Sequence, residues 1–489
     1  MSSKLPVPRA MSTQHPDNVS IPFFAEGLEL GGEDEIQEAY YAFSHLGCDE
    51  QMWDCEGKEV DNFVVKKLLT KYESFFAEHK IGKELFLTLR VPNPSVEKAE
   101  GKVLLETLES IPRSFDVAQL FYKEDLPPIF EIILPMTSSS QELDRIYRYY
   151  SDFVVGKQDK KLKSIDITIG NWIGSFKPEK INIIPLFEDL EHLLAAHTIM
   201  EKYLEDKNIE YQRVFLARSD PAMNYGLVSA VLLSKIALQR LYNLAESINI
   251  DLYPILGLGC PPFRGNLTPK NVENTLKEYS TVHTFTIQSS FKYDNSPEEV
   301  RAGIMKLKGH STKAPQQIDE KKSIELIHNY SQEYRKQIKI LAPVINEIAK
   351  YVPSRRKRKL HIGLFGYARS VGGIALPRAI TFTSALYSIG LPPELLAINA
   401  LTEKELEFVR EVYINFENDL KDALRYLNKD SLRLLPELES AINNLSIDFE
   451  SVEEHKVISA NIVNALKHSK SEELREYITR AANLRKFLG

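Results

Sequence analysis

Cysteine is scarce in this 489-residue chain. Cys48, Cys55 and Cys260 are too few and too scattered for a disulfide framework or a zinc site. Long apolar runs are missing as well. None approaches the ~18 residues of a membrane span, and MSSKLPVPRA carries no apolar core for a signal peptide. Positive charge is not in excess: 61 Lys and Arg against 68 Asp and Glu leave a net charge of −7, which excludes a global nucleic-acid footprint. Neither GxGxxG nor GxxxxGK(S/T) occurs, so ATP and nicotinamide cofactors gain no support. With 43% hydrophobic and 26% charged residues, the composition is that of a globular protein, expected to be soluble and cytoplasmic.

What is present is a recurring short apolar, β-branched or aromatic run. The runs are Glu50–Trp53, Glu84–Val91, Ile129–Pro135, Asn182–Phe187, Val214–Ala217, Leu252–Leu258, His283–Ile287 and Leu360–Phe365. Stretches such as IFEIILP, INIIPLF and RVFLA are nearly continuous, which suits strands buried on both faces of a parallel sheet. Segments of helical period lie between them, among them Gln141–Phe153, Leu190–Leu204 and Leu227–Ser247. Eight strands alternating with helices predict a (β/α)₈ barrel, with a doubly wound open sheet as the alternative fold. The expected organisation is an N-terminal segment over 1–45, a catalytic barrel over 46–395 and C-terminal helices over 396–489 packed on the barrel. A helical insert at about 296–359 interrupts the barrel before its last strand.

In a barrel of this kind chemistry collects where strands end. The residues there are Asp54 and Glu56, Arg90, Thr137–Ser140, Glu188, Arg218 to Asp220, Arg264, Gln288 and Lys292, then Arg369 and Arg378. Arginines converge where a small multi-oxygen anion is held, because the guanidinium fork matches phosphate and carboxylate. Carboxylates among them would repel that anion unless a divalent cation lay between, and Glu188 with Asp220 could chelate Mg²⁺ or Mn²⁺. Any one of these residues alone reads more simply as a surface ion pair worth about 0–1 kcal/mol. The joint pattern carries the reading. His15, in MSTQHPDN, is by default a solvated loop residue, although its near-neutral pKa class suits proton transfer. The run RRKRK at 355–359 reads as a solvated turn before the last strand. The Gly-rich stretches 257–266 and 366–373 read as lids.

These segments resemble the archaeal-type phosphoenolpyruvate carboxylases through most of the chain: MSTQHPDN, AYYAFSHLGCDEQMWDCEGKEVD, LFLTLRVPNP, ESIPRSFD, RVFLARSDPAMNYG, PPFRGNL, TIQSSFKYD and KLHIGLFGYARSVGGIALPRAI. The resemblance implies a (β/α)₈ barrel with extra helices, a homotetramer, and Mg²⁺-dependent formation of oxaloacetate and phosphate from phosphoenolpyruvate and bicarbonate. The implied route passes through carboxyphosphate and a metal-stabilised enolate. Against the longer bacterial and plant enzymes, TQHPD implies that His15 is the catalytic histidine. PLFED and RSDPA imply metal ligation by Glu188 and Asp220, and FRGN implies a catalytic Arg264. GYAR and LPRAI imply substrate binding by Arg369 and Arg378, and Arg90 matches an early barrel arginine.

There are departures. A lysine of the long enzymes falls at Met223, and the first arginine of their glycine-rich loop falls near Leu258. Arg218, Lys292 or Lys58 are the candidate replacements. The C-terminal tail lacks a clear match to the regulatory arginine and asparagine sites. Two other readings stay open: a metal-dependent barrel lyase for an oxaloacetate-, malyl- or citryl-type substrate, and a catalytically dead anion-binding scaffold.

Overall fold

The computed structural model describes residues 6–55, 61–98, 101–357, 369–371, 373–468 and 471–489. Eight parallel strands close into a barrel in chain order. They are β1 (Ala10–Ser12), β2 (Glu50–Asp54), β3 (Phe86–Arg90), β4 (Glu131–Leu134), β5 (Asn182–Phe187), β6 (Tyr211–Ala217), β7 (Asp251–Gly257) and β8 (Thr284–Ile287). Seven of the expected runs fall on β2 to β8.

The remaining strand is not where the sequence placed it. By its pattern Glu50–Trp53 reads as the first strand, with residues 1–45 ahead of the barrel; in the structure β1, the three residues AMS, completes the ring. It pairs Met11 with Glu50 on one side and Ala10, Met11 and Ser12 with Phe285, Thr286 and Ile287 on the other. Three residues cannot show a period of two, so only pairing on both edges reveals the strand. The expected run Leu360–Phe365 lies outside the described residues.

Alternation along the strands stacks the barrel interior in layers. On β2, Glu50, Met52 and Asp54 share one face. At the N-terminal end, Arg213 of β6 donates to Glu50 through Nη1 and Nη2 at 2.7 Å each, and to Glu131 at 2.9 Å. Thr88 donates to Glu50 at 2.5 Å. The middle layer is apolar: Met11, Met52, Ile133, Ile184, Leu186, Phe215 and Ile255. Above it stand Asp54, Arg90 and Glu188.

Helices brace the upper end. Leu227–Ile248 is buried along most of its length, between the helices Leu190–Leu204 and Glu320–Ala349. The latter lies within the expected insert. Its Tyr334 donates to the Met223 carbonyl at 2.9 Å and its Tyr330 to the Leu396 carbonyl at 2.7 Å. Gly226, at φ 86°, lets both rings approach, since a Cβ there would stand 2.6 Å from Tyr330. The insert thereby fixes the short helix Ser219–Tyr225. At the C-terminal end, Glu453–Lys467 and Ser471–Arg485 pack on each other and on Ala379–Ser388, and Leu488 N–H donates to the Asp17 carbonyl at 2.7 Å.

Arg213→Met would leave Glu50 and Glu131 buried without a cation, a loss of about 3–5 kcal/mol by the usual cost of breaking a buried ion pair. Thermal unfolding reads this directly, and a variant melting with the wild type would show that this ion cluster is dispensable.

Candidate active site

A cavity of about 450 Å³ opens at the C-terminal ends of the strands. Its wall includes His15, Arg90, Glu188, Arg218, Ser219, Asp220, Arg264, Gln288, Arg355, Arg356 and Arg378. These come from segments far apart in the chain, so the cavity exists only in the closed barrel.

The carboxylates come first. Glu188 follows β5, and its Oε2 accepts from the Met136 N–H at 2.7 Å. Met136 adopts φ 51°, an uncommon conformation for a side-chain-bearing residue. Asp220 sits in the first turn of Ser219–Tyr225, directly after β6. Among the described residues no three His, Cys, Asp or Glu side chains gather as a metal cage. Two carboxylates on one wall still fit a hard cation that keeps waters and takes substrate oxygens, as Mg²⁺ does. The donor set is all oxygen, which also admits Mn²⁺.

The arginines divide by partner. Arg90 holds Asp54 in a bidentate pair, with Nε at 3.1 Å and Nη2 at 2.6 Å. Arg264 is buried and donates to Ser219 Oγ at 3.0 Å, Asp17 Oδ2 at 3.3 Å, the Gly489 carbonyl at 2.6 Å and Gln288 Oε1 at 2.6 Å. A guanidinium has five N–H donors, so one remains for a ligand. Gly489 fits there because it has no side chain: a Cβ would collide with the Ile380 carbonyl and Ser384. Arg356 pairs with Glu35 at 2.8 Å and Glu38 at 2.8 Å. Burial pushes the Glu38 carboxyl up, but Arg356 and Lys292 outweigh it and hold the group at about 2.

His15 stands in the loop after β1, its Nδ1 2.8 Å from Thr13 Oγ1. Backbone bonds pin this loop, from Thr13 N–H to the Ile287 carbonyl at 3.0 Å and from Ser289 N–H to the His15 carbonyl at 3.3 Å. Asp17 then accepts from Ser290 N–H at 2.7 Å while pairing with Arg264. One carboxylate therefore sets His15 and Arg264 in a common frame.

Of the expected site residues, His15, Arg264, Arg90, Arg378, Glu188 and Asp220 share the cavity. Arg369 has its backbone in the short hairpin strand Arg369–Val371, and its side chain lies outside the described residues, as do Glu56 and Lys58. Met223 and Leu258 are buried and are not among the residues of the cavity wall. Lys292 is buried against Ser12, Thr13 and Glu38, whereas Arg218 lines the cavity.

Two readings need correction. Arg355 and Arg356 of RRKRK are buried in the wall, because the strip pairs with Leu30 and faces Glu35 and Glu38. No local signal betrays this, since the partners lie over three hundred residues away. The 257–266 loop is no lid: it is mostly buried and closed on itself, with Gly259 N–H on the Arg264 carbonyl at 2.9 Å and Leu267 N–H on the Gly259 carbonyl at 3.0 Å.

Comparison with known proteins gives this site its lineage. The family model described as phosphoenolpyruvate carboxylase matches residues 7–489. The chain belongs to the phosphoenolpyruvate carboxylase family. It is 58% identical to the phosphoenolpyruvate carboxylase of Methanothermobacter thermautotrophicus over 99% of this chain and 100% of the relative. It is 56% identical to that of Methanospirillum hungatei over the same shares, and 57% identical to that of Pyrococcus furiosus over 86% of this chain and 89% of the relative. Relatives of this name are carboxy-lyases, so the chain is placed among enzymes.

In this family member, buried carboxyls support the loops around the cavity. Glu394 accepts from Phe263 N–H and Tyr387 Oη, both at 2.6 Å, and burial pushes it up to about 7. Asp419 accepts from Tyr413 and, at 2.8 Å, from Asn266 Nδ2, and burial raises it to about 7. Asp294 holds the Val19 and Ser20 N–H groups and is likewise raised by burial to about 7. An acid whose folded pKa exceeds its unfolded value keeps its proton longer in the folded state. Its favourable contribution is full below the unfolded pKa and is lost as pH rises through the folded one. For Glu394 that window runs from the ordinary 4.5 to about 7. Glu394→Gln should therefore flatten the fall of melting temperature across this window, and an unchanged pH slope would remove Glu394 as a contributor.

Proposed function

We propose that the chain carboxylates phosphoenolpyruvate with bicarbonate, giving oxaloacetate and phosphate. The observation that carries this reading is the one cavity that His15 and Arg264, framed by Asp17, share with Glu188 and Asp220. A base, a buried cation and two metal-class carboxylates around one anion-sized space match the family's reaction.

Glu188 and Asp220 would hold Mg²⁺ or Mn²⁺. When bound, the cation supplies positive charge that offsets the anionic oxygens of the substrate. Arg90, Arg378 and Arg369 hold phosphate and carboxylate oxygens and leave the phosphorus open to bicarbonate. A bicarbonate oxygen then bonds to phosphorus as the enol oxygen–phosphorus bond breaks, giving carboxyphosphate and the enolate of pyruvate. The last donor of Arg264 meets the charge that develops. His15 takes the carboxyl proton of carboxyphosphate, and its carbon–oxygen bond to phosphate breaks to give CO₂ and phosphate. The methylene carbon of the enolate attacks CO₂ to form oxaloacetate. Val352, Pro353, Ile380 and Leu488 in the wall keep water from protonating the enolate first.

We also propose a cytoplasmic homotetramer. Exposed Leu162, Ile165, Trp172 and Ile173 on one projecting segment suit burial against a second copy. Light scattering on the purified protein reads the mass.

The deciding experiment follows oxaloacetate, coupled to malate dehydrogenase, and phosphate in parallel, with phosphoenolpyruvate, bicarbonate and Mg²⁺ supplied. Equal, bicarbonate-dependent yields are expected; neither product would favour the lyase or scaffold alternative. His15→Asn should still release phosphate but lose oxaloacetate, yielding pyruvate, and normal carboxylation would overturn the role given to His15. Asp220→Asn should raise the Mg²⁺ concentration needed for half-maximal rate and slow turnover ~10²–10³-fold, the usual cost of removing such an electrostatic partner. An unaltered Mg²⁺ titration would take Asp220 out of the site.

A further inference from the structure

Three of the cavity's six arginines pair with carboxylates of the protein. Arg90 is neutralised by Asp54, Arg264 by Asp17, and Arg356 by Glu35 and Glu38. Arg355 is different. It lines the same cavity and is only 8% exposed, yet among the described residues it makes no ion pair, and its Nε is buried without a hydrogen-bond partner.

The isolation of this side chain is built in. The Arg355 carbonyl accepts from Leu30 N–H at 3.0 Å, and Lys357 N–H donates to the Leu30 carbonyl at 2.8 Å. The neighbouring Arg356 is anchored by its two glutamates. With its backbone clamped on both sides, the strip cannot swing Arg355 out to water. The carboxylate whose charge it feels is Asp294, but the oxygens of Asp294 are occupied by the Val19 and Ser20 N–H groups. Burial accordingly depresses the Arg355 pKa. A cation kept dry without a counter-charge is costly to a folded protein, and one that faces a ligand cavity is an unfilled anion contact.

We propose that Arg355 is a further substrate-binding residue, pairing with an anionic oxygen of phosphoenolpyruvate, on its phosphate or its carboxylate. The inference rests on the proposed carboxylase reading and adds a contact to it. Phosphoenolpyruvate brings two anionic groups, one of them doubly charged near neutral pH, whereas bicarbonate brings a single charge. The larger anion therefore has more charged oxygens to offer an arginine without an ion pair.

The test compares the full-length wild type with Arg355→Gln and Arg355→Lys. Calorimetric titration with phosphoenolpyruvate and Mg²⁺, bicarbonate omitted, should show at least about tenfold weaker binding for the glutamine variant, equivalent to about 1.4 kcal/mol. The lysine variant should fall between it and the wild type. In steady state the KM for phosphoenolpyruvate should rise while that for bicarbonate stays unchanged. Because the glutamine variant removes an unpaired buried charge, it should melt no lower than the wild type. A titration with inorganic phosphate separates the two groups: weakened phosphate binding assigns the contact to the phosphate, and unchanged phosphate binding assigns it to the carboxylate. Unaltered affinity for phosphoenolpyruvate, a change confined to the bicarbonate KM, or a lowered melting temperature accompanying the loss of binding would each overturn the proposal. A wild type that forms no oxaloacetate would instead overturn the carboxylase reading, so the two failures are told apart.

Discussion

The buried contact between Asp17 and Arg264 is the constraint on which the site depends. Asp17 reaches it from the loop after β1, Arg264 from the loop after β7, and Ser290 N–H closes the arrangement from the segment after β8. The Leu488 N–H on the Asp17 carbonyl and the Gly489 carbonyl on Arg264 bring in the last residues of the chain. A pair so enclosed is expensive to assemble, since burial alone pushes Asp17 upward against the pull of Arg264. What it secures is geometry. With four of its five donors engaged, Arg264 cannot rotate, and a fixed donor at a developing charge needs no reorganisation during reaction.

The same economy explains the layering beneath. A barrel whose upper end is lined with charge must keep that charge from draining into its own core. The apolar layer of Met52, Ile133, Ile184, Phe215 and Ile255 does this, separating the Asp54–Arg90 pair above from the Glu50–Arg213–Glu131 cluster below. Because β2 contributes Glu50, Met52 and Asp54 to all three levels, a one-residue slip of its register would turn each of them outward. Function and fold are thus set by one alternation.

That alternation also decides what could be read in the sequence. Runs such as INIIPLF and RVFLA are long enough to announce buried parallel strands, and the polar residues that end them, Glu188 and Arg218 to Asp220, are on the cavity wall. β1 escapes because its three residues have no period; its identity lies in its neighbours' unpaired edges. The RRKRK run misleads for the opposite reason. Its composition is that of a solvated turn, yet Arg356 is buried because two glutamates over three hundred residues upstream neutralise it. Local composition reports what a segment would do alone, whereas burial of charge is decided by partners that only the fold supplies.

The distribution of partners then separates the cationic side chains by task. Arg213, Arg356 and Lys292 are paired within the protein and hold segments together. Arg264 is paired but keeps one donor in reserve. Arg218 donates to the neutral Tyr279 hydroxyl and Phe263 carbonyl, each at 3.4 Å, and Arg355 has no ion pair among the described residues and a buried Nε without a hydrogen-bond partner. Both line the cavity. Paired cations hold the frame of the site, whereas the two that no carboxylate among the described residues pairs with leave their charge to whatever anion enters, and the same fold thus uses some of its arginines for shape and others for attraction.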